Sequence, residues 1–284
     1  MTRVGVVGCG LMGSGIAEVC ARAGLDVAVV ESDEAAADAG RARVEASLDQ
    51  AVRRGKLDAD EREAVAARLV VTWEHDVLAD RELVVEAVPE VEELKLDTFR
   101  MLDKVVTDGD AVLASNTSSI PIMKLAMATA RPEQVIGIHF FNPVPVLPLV
   151  ELVPSLLTAP DVVDEAAGFA TGTLGKHVIR SQDRAGFVVN ALLIPYLLSS
   201  IRMLESGFAT AEDIDAGMVR GCAHPMGPLA LSDLIGLDTV MAVAESMYEE
   251  FKEPLYAPPP LLSRMVEAGL LGRKAGRGFY DYTR

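Results

Sequence analysis

Short apolar runs alternate with longer helical patterns from the N-terminus to about Asp183. The runs are rich in valine, isoleucine and leucine, and polar or glycine-containing loops follow them. This alternation is typical of a doubly wound, largely parallel β-sheet with helices on both faces, a Rossmann-type α/β fold. Strands are predicted at Val4–Val7, Val27–Val30, Leu83–Ala87, Ala111–Ala114, Val135–Ile138, Val150–Val153 and Lys176–Arg180.

Two stretches depart from the alternation. Residues 33–69 are polar and alanine-rich with helical apolar spacing, and Gly55 divides them, so a helical hairpin is expected to project from the sheet. From Gly186 onward only helical periods occur, at about residues 187–205, 211–220, 228–248 and 261–268. The sequence therefore predicts two domains, an α/β domain over residues 1–184 and an all-helical domain over residues 185–284.

The first apolar run leads into Gly8, Gly10 and Gly13 in the spacing G-x-G-x-x-G, and the second run ends at Glu31. Strand, glycine turn, helix, strand and acid in this order favour a dinucleotide-binding unit over an ordinary glycine-rich turn. A carboxylate at Glu31 accepts hydrogen bonds from a ribose 2′-hydroxyl and repels a 2′-phosphate, which favours NAD over NADP. The predicted cofactor-binding residues of this unit are Gly8, Gly10, Leu11, Met12, Gly13 and Glu31.

Composition narrows the class of protein further. A net charge of −16 argues against binding to nucleic acid or to anionic membranes. Cys9, Cys20 and Cys222 have no metal-site spacing and suggest reduced thiols, and the first strand begins too early for a signal peptide, so a cytoplasmic protein is expected. The apolar segment 186–201 is too short to span a bilayer, and a buried helix is expected there. The apolar surplus of the second domain predicts a homodimer through its helices.

Four polar residues are candidates for chemistry. Ser118 and His139 each follow an apolar strand, where doubly wound sheets bind ligands, although such residues are also common as turn formers or buried core groups. Glu151 interrupts the apolar run LPLVELVP and needs a partner, for which His139 is the natural choice. Asn190 lies in the apolar segment GFVVNALLIPY and needs a hydrogen-bonding partner as well.

Two hydrolytic chemistries fit these residues less well. Ser118, His139 and Glu151 include the residue types of a catalytic triad, but the chain has no G-x-S-x-G elbow and their order differs from that of the hydrolases. Its four histidines are scattered without metal-ligand spacing, so no metal is expected. Beside a bound nicotinamide, a His–Glu pair most simply serves the oxidation of an alcohol or its reverse.

Six segments in order carry a resemblance over essentially the whole chain: the glycine loop, ASNTSS (114–119), HFFNPVP (139–145), GFVVN (186–190), HPMGP (224–228) and GRKAGRGFYDY (272–282). Together they resemble the short-chain L-3-hydroxyacyl-CoA dehydrogenases, and most of all the bacterial 3-hydroxybutyryl-CoA dehydrogenases. The resemblance implies reversible NAD-dependent oxidation of (S)-3-hydroxyacyl-CoA to 3-ketoacyl-CoA. It also makes the first domain the NAD-binding domain and the second the substrate and dimerisation domain.

The resemblance assigns a role to each matching position. His139 is the expected catalytic base, Glu151 its orienting carboxylate, and Ser118 and Asn190 the groups that position the substrate oxygen and thioester. Further cofactor contacts are implied at Glu90, Lys95, Ser118, Asn142 and Lys274. Contacts with coenzyme A are implied at Ser47, Arg54, Lys56, Ser118 and Asn190.

Departures from the family pattern leave some points open. Glu31 replaces the more usual Asp, Pro148 stands where many members have Lys, and Ala191 stands where many have Arg. Chain-length preference, physiological direction and strictness for NAD therefore do not follow from the resemblance. The alternatives are a dehydrogenase of a small hydroxy or sugar acid without coenzyme A and a non-catalytic NAD-binding protein. The basic hairpin argues against the first, and the joint presence of the four candidate residues argues against the second.

Overall fold

The computed structural model describes residues 1–283 and divides into two units after Asp183. An eight-stranded sheet of order β3-β2-β1-β4-β5-β6-β7-β8 lies at the centre of the first unit. Neighbouring strands are parallel except for β6 and β7, which are antiparallel. The strands are β1 Arg3–Val7, β2 Asp26–Val30, β3 Leu69–Thr72, β4 Leu83–Glu86, β5 Val112–Ser115, β6 Val135–Phe140, β7 Leu149–Pro154 and β8 His177–Arg180.

Helices connect most of these strands, and an aspartate side chain at the start of α2 and of α3 fixes where these two helices begin. Asp33 caps α2 by accepting the N–H of Ala36, and Asp58 and Glu61 form a reciprocal capping box at α3. The central strands are buried along nearly their whole length and are mostly apolar, because helices cover both faces of the sheet. The helices are α1 Leu11–Arg22, α2 Glu34–Arg53, α3 Ala59–Ala66, α4 Glu92–Val105, α5 Ile122–Ala126 and α6 Pro160–Gly168.

The second unit is helical, with its own apolar core. The helix predicted over residues 228–248 is wrong as a single element, because Gly236 adopts a φ of 101° and separates α9 from α10. None of the helices in residues 1–283 is long and apolar enough to cross a membrane. The helices are α7 Val189–Glu205, α8 Ala211–Gly221, α9 Pro228–Ile235, α10 Leu237–Phe251 and α11 Pro260–Glu267.

The helical hairpin contains a further difference from the prediction. The helical pattern was expected to run to Leu69, but α3 ends at Ala66 and Leu69 opens strand β3. This strand lies at the edge of the sheet, pairs only with β2 among the described strands, and keeps most of its residues partly exposed. A short edge strand lacks the continuous apolar signal of a central strand, which is why the pattern did not reveal it.

Candidate active site

The antiparallel pairing of β6 and β7 places two of the predicted residues directly opposite each other. His139 on β6 is in register with Glu151 on β7, and His139 Nδ1 lies 2.8 Å from Glu151 Oε2. Glu151 is 0% exposed and His139 is 5% exposed. The partner that the buried carboxylate required is therefore the one that the sequence predicted.

The third predicted residue lies on the other side of the imidazole. Ser118 Oγ is 3.4 Å from His139 Nε2, in the loop that follows β5. Asn116, in the same loop, accepts the backbone N–H of Phe140 at 2.9 Å and so joins the loop to the end of β6. The ASNTSS motif thus brings the Ser118 hydroxyl to the ring nitrogen that Glu151 does not contact.

This arrangement selects one chemical role for each ring nitrogen. A buried carboxylate at Glu151 favours a proton on Nδ1, which leaves the lone pair of Nε2 to accept a proton from a bound group. If Nε2 takes that proton, the Glu151 carboxylate stabilises the resulting imidazolium. The pair is thus built for proton transfer at Nε2.

A second buried network lies at the ends of β4 and β5. Lys95 is 1% exposed, and its Nζ lies 2.6 Å from Glu86 Oε1 and 3.3 Å from Glu90 Oε2. Burial raises the pKa of Glu86, although Lys95 and the Ser115 hydroxyl oppose that shift. Burial also acts to raise the pKa of Glu90, but Lys95 and the donors of the Ser118 loop outweigh it and hold that pKa below its usual range.

Glu90 connects this network to the Ser118 loop. Its Oε1 accepts the hydroxyl of Thr117 at 2.5 Å and the backbone N–H of Ser118 at 2.9 Å. Sequence reasoning did not single out Glu86, which anchors Lys95. The available signal was an acid at the end of the apolar run LVVE, where a carboxylate closes an otherwise apolar strand.

The glycine loop has the shape that a dinucleotide requires. A Cβ on Gly13 would lie 1.8 Å from the carbonyl oxygen of Gly8, so only glycine permits this packing of α1 on the loop. A Cβ on Gly10 would meet nothing within 4 Å, which leaves the backbone open to a ligand. No side chain caps α1, and Glu31 Oε1 accepts the N–H of Cys9 at 2.5 Å. Free helix N–H groups beside an acid at the end of β2 fit the pyrophosphate and ribose of NAD.

The remaining N-terminal candidates lie apart from the His–Glu pair. Ser47 on α2 donates its hydroxyl to the buried carboxylate of Glu18 at 2.5 Å. Arg54 and Lys56 are exposed where α2 ends. Asn142 is exposed in the loop that follows β6, and a cis peptide bond joins it to Pro143.

Two candidates belong to the helical unit. Asn190 is in the first turn of α7 and is partly buried. Lys274 follows α11, and its Nζ forms an ion pair with Asp238 at 2.6 Å. Within residues 1–283 no group of three or more His, Cys, Asp or Glu side chains is placed to hold a metal ion.

Two family models cover nearly the whole chain. The NAD-binding domain of 3-hydroxyacyl-CoA dehydrogenase matches residues 3–184, and the C-terminal domain of 3-hydroxyacyl-CoA dehydrogenase matches residues 186–282. The chain belongs to the 3-hydroxyacyl-CoA dehydrogenase family. The family resemblance predicted from the motifs is therefore confirmed.

Individual relatives agree in sequence and in fold. A 3-hydroxybutyryl-CoA dehydrogenase of Mycobacterium tuberculosis is 61% identical over 280 residues, which cover 99% of this chain and 98% of the relative. The crystal structure of M. tuberculosis FadB2 matches with a TM-score of 0.99 and 61% identity, covering 100% of this chain and 99% of that chain. The structure of (S)-3-hydroxybutyryl-CoA dehydrogenase PaaH1 from Ralstonia eutropha matches with a TM-score of 0.93 and 44% identity, covering 100% of both chains.

Family membership confirms the predicted fold class and cofactor. The protein is an NAD-dependent oxidoreductase that acts on a CH–OH group, with a Rossmann-type NAD-binding domain and a helical C-terminal domain. The roles of individual site residues are taken up below as proposals.

Proposed function

We propose that this chain catalyses the reversible oxidation of (S)-3-hydroxybutyryl-CoA, a short-chain (S)-3-hydroxyacyl-CoA, to the corresponding 3-ketoacyl-CoA. The observation that carries the proposal is the buried His139–Glu151 pair, with Nδ1 and Oε2 2.8 Å apart and Ser118 at the opposite ring nitrogen. The names of the bacterial relatives support the choice of substrate.

His139 acts as the general base in the oxidative direction. Its Nε2 removes the proton of the C3 hydroxyl while the hydrogen on C3 leaves as hydride, so that C3 and its oxygen form a carbonyl group. Bound NAD⁺ supplies the acceptor for that hydride. Glu151 stabilises the imidazolium, Ser118 donates a hydrogen bond to the C3 oxygen, and Asn190 positions the thioester carbonyl. In the reductive direction His139 returns the proton.

The residues that would hold NAD fall into two groups. The adenosine and pyrophosphate are proposed to bind at the glycine loop, the N-terminus of α1 and Glu31, and the geometry of the loop supports this. The nicotinamide half is proposed to bind beside the Ser118 loop, where the buried Lys95 forms an ion pair with the partly exposed Glu90. The proposed contacts are Gly8, Gly10, Leu11, Met12, Gly13, Glu31, Glu90, Lys95, Ser118, Asn142 and Lys274.

Coenzyme A is proposed to bind where α2 ends, through Ser47, Arg54 and Lys56. The exposed cations of Arg54 and Lys56 are suited to the phosphates of the nucleotide in an otherwise acidic protein. Ser47 takes part only if its hydroxyl turns from Glu18, which accepts it at 2.5 Å. Arg54→Glu is expected to raise KM for acetoacetyl-CoA severalfold and to leave KM for acetoacetyl-pantetheine, which lacks the nucleotide, unchanged. Equal increases for both substrates would contradict this site.

We further propose a homodimer formed through the helical domain. In that domain, α7, α9 and residues 224–226 line an apolar cavity of about 630 Å³, and Leu192 on its wall is 75% exposed. An apolar surface of this kind is stabilised by burial against a second copy. Light scattering after size-exclusion chromatography should give the mass of a dimer, and Leu192→Glu should shift it toward the monomer. A monomeric wild-type protein at micromolar concentration would refute the proposal.

A cytoplasmic location is proposed from the cysteines. Cys9, Cys20 and Cys222 are all free thiols, as is usual in a reducing compartment. Cell fractionation with the dehydrogenase activity as the marker tests this, and activity in an extracellular fraction would contradict it.

One assay separates the proposed activity from its alternatives. NADH oxidation is followed with acetoacetyl-CoA, free acetoacetate and acetoacetyl-pantetheine, and then with 3-ketoacyl-CoA substrates of increasing chain length. The highest kcat/KM is expected with acetoacetyl-CoA. A preference for free acetoacetate would support a dehydrogenase of small hydroxy acids, and no turnover with any acyl-CoA would support a non-catalytic NAD-binding protein.

A further inference from the structure

A close helix contact brings α2 against the glycine loop. A Cβ on Gly40 would lie 2.6 Å from Cys9 Cβ and 2.9 Å from Cys9 Sγ. The backbone of α2 therefore packs so closely on the loop that a larger residue at position 40 would clash with Cys9. Arg43 follows on the same face of the helix, and its Nη1 donates a hydrogen bond to the carbonyl oxygen of Cys9. The contact thus directs a guanidinium at the loop that is expected to hold the cofactor.

Cys9 is bound from both sides by opposite charges. Its N–H donates to Glu31 Oε1 at 2.5 Å, while its carbonyl accepts from Arg43. Both charges also affect the pKa of the Cys9 thiol. Burial and Glu31 raise this pKa to about 11, and Arg43 opposes the increase. Glu31, an acid that is expected to repel a 2′-phosphate, and Arg43, a cation that would attract one, therefore both contact the backbone of Cys9.

Arg43 retains unused donors. Its side chain is exposed, and among residues 1–283 it forms no ion pair and no hydrogen bond besides the one to Cys9. A guanidinium has five N–H donors in a planar fork that matches phosphate geometry. Arg41 on the same helix differs, because its Nη2 donates to the carbonyl of Val71 on β3 at 2.8 Å.

We propose that Arg43 is a specificity-determining residue for the cofactor, and that the preference for NAD over NADP reflects the balance between Glu31 and Arg43. Glu31 repels a 2′-phosphate on the adenosine ribose, and Arg43 provides a binding group for that phosphate once the negative charge is removed. The inference rests on the proposed position of the adenosine ribose beside Glu31.

Binding to the protein without turnover tests the inference directly. Calorimetry is carried out with ADP-ribose and with 2′-phospho-ADP-ribose on the wild type, Glu31→Gln, Arg43→Met and the double variant. Glu31→Gln keeps an oxygen for the Cys9 N–H and is expected to raise affinity for the phosphorylated probe by about tenfold or more, the value of one charge-assisted hydrogen bond. In the double variant this gain should disappear, whereas Arg41→Met in the Glu31→Gln background should retain it.

The outcomes separate this inference from the cofactor site itself. A gain that persists in Glu31→Gln/Arg43→Met, or no gain in Glu31→Gln while ADP-ribose still binds, overturns the role of Arg43. Failure of the wild type to bind ADP-ribose contradicts the proposed ribose position instead. Arg43→Lys in the Glu31→Gln background should keep part of the gain, because it preserves the charge but loses the planar fork.

Discussion

Two buried carboxylate clusters, one in each unit, look alike by burial and differ in their partners. Glu151 in the N-terminal unit is 0% exposed and contacts the imidazole of His139. Asp233 in the helical unit is 1% exposed and accepts the N–H groups of Phe279 and Tyr280 and the hydroxyl of Tyr282. Both carboxylates satisfy the requirement that a buried charge be hydrogen-bonded.

The difference lies in whether the donors can titrate. Backbone N–H groups do not, and burial together with Asp233 raises the pKa of the Tyr282 hydroxyl. The nearby Asp215 is similar, since it accepts two backbone N–H groups and the Tyr280 hydroxyl, whose pKa burial and Asp215 raise. An imidazole, in contrast, exchanges protons near neutral pH and has a second nitrogen for a substrate. Burial of the carboxylate therefore does not distinguish the two clusters, whereas the chemistry of its partner does.

The largest effect is expected when His139, the titratable partner of Glu151, is replaced. His139→Gln keeps the size and polarity of the side chain but has no basic nitrogen, so kcat with acetoacetyl-CoA should fall by about 10²–10⁴-fold. NADH should still bind to this variant, as measured by fluorescence titration, because the glycine loop and Glu31 that are proposed to hold the cofactor are unchanged. Turnover close to that of the wild type would remove His139 from the mechanism.

The second test neutralises one carboxylate from each cluster. Glu151→Gln removes the charge that is proposed to stabilise the imidazolium, so kcat should fall by about tenfold to hundredfold, which corresponds to one buried charge-assisted hydrogen bond. Asp233→Asn places an amide among three donors and should lower the free energy of unfolding by about 1–3 kcal/mol, because a buried donor is left unsatisfied.

Kinetics and denaturant unfolding on both variants complete this test. Asp233→Asn is expected to keep the kcat of the folded fraction near that of the wild type. If Asp233→Asn lost as much kcat as Glu151→Gln without any loss of stability, the distinction between the two clusters would be wrong.

The third test concerns the other ring nitrogen of His139. Ser118→Ala removes the hydroxyl 3.4 Å from Nε2 but keeps the backbone N–H that Glu90 accepts, so kcat/KM should fall by about tenfold. Ser119→Ala is the matched control, because the Ser119 hydroxyl donates to Glu90 at 3.1 Å. Equal losses in the two variants would indicate that the loop as a whole, and not the Ser118 hydroxyl, affects the reaction.

The same comparison explains what the sequence predicted. The central strands were predictable because burial on both faces makes them largely apolar, and Glu151 stood out because it interrupts such a strand. His139 was predictable as its partner because a buried carboxylate needs one and His139 also follows an apolar run. The antiparallel register that makes His139 and Glu151 direct neighbours was not predictable from the sequence, since an apolar run does not reveal the direction in which a strand pairs.

Other features needed the folded chain. Lys95 and Glu86 come from a helix and a strand whose patterns give no sign of an ion pair 2.6 Å long. The GRKAGRGFYDY segment was interpreted only through a cofactor contact at Lys274. In the structure, Phe279 and Tyr280 of that segment donate to Asp233, and this shows that the motif also has a structural role. A polar residue in an apolar helix, such as Asp233, predicts that a partner exists but not which one.

The smallest effect is expected at a carboxylate near the surface. Glu82 accepts the N–H groups of Thr2 and Arg3, and these bonds lower its pKa to about 2 from a usual value of 4.5. A depressed pKa in the folded state adds stability above the unfolded pKa, and that stability is lost as the pH falls from 4.5 toward 2. Glu82→Gln should therefore be less stable than the wild type at neutral pH, by less than about 1 kcal/mol because solvent screens the site. The difference in Tm between the two proteins should shrink as the pH falls below 4.5, and a difference that stayed constant or grew would contradict the assignment of the stability to the Glu82 anion.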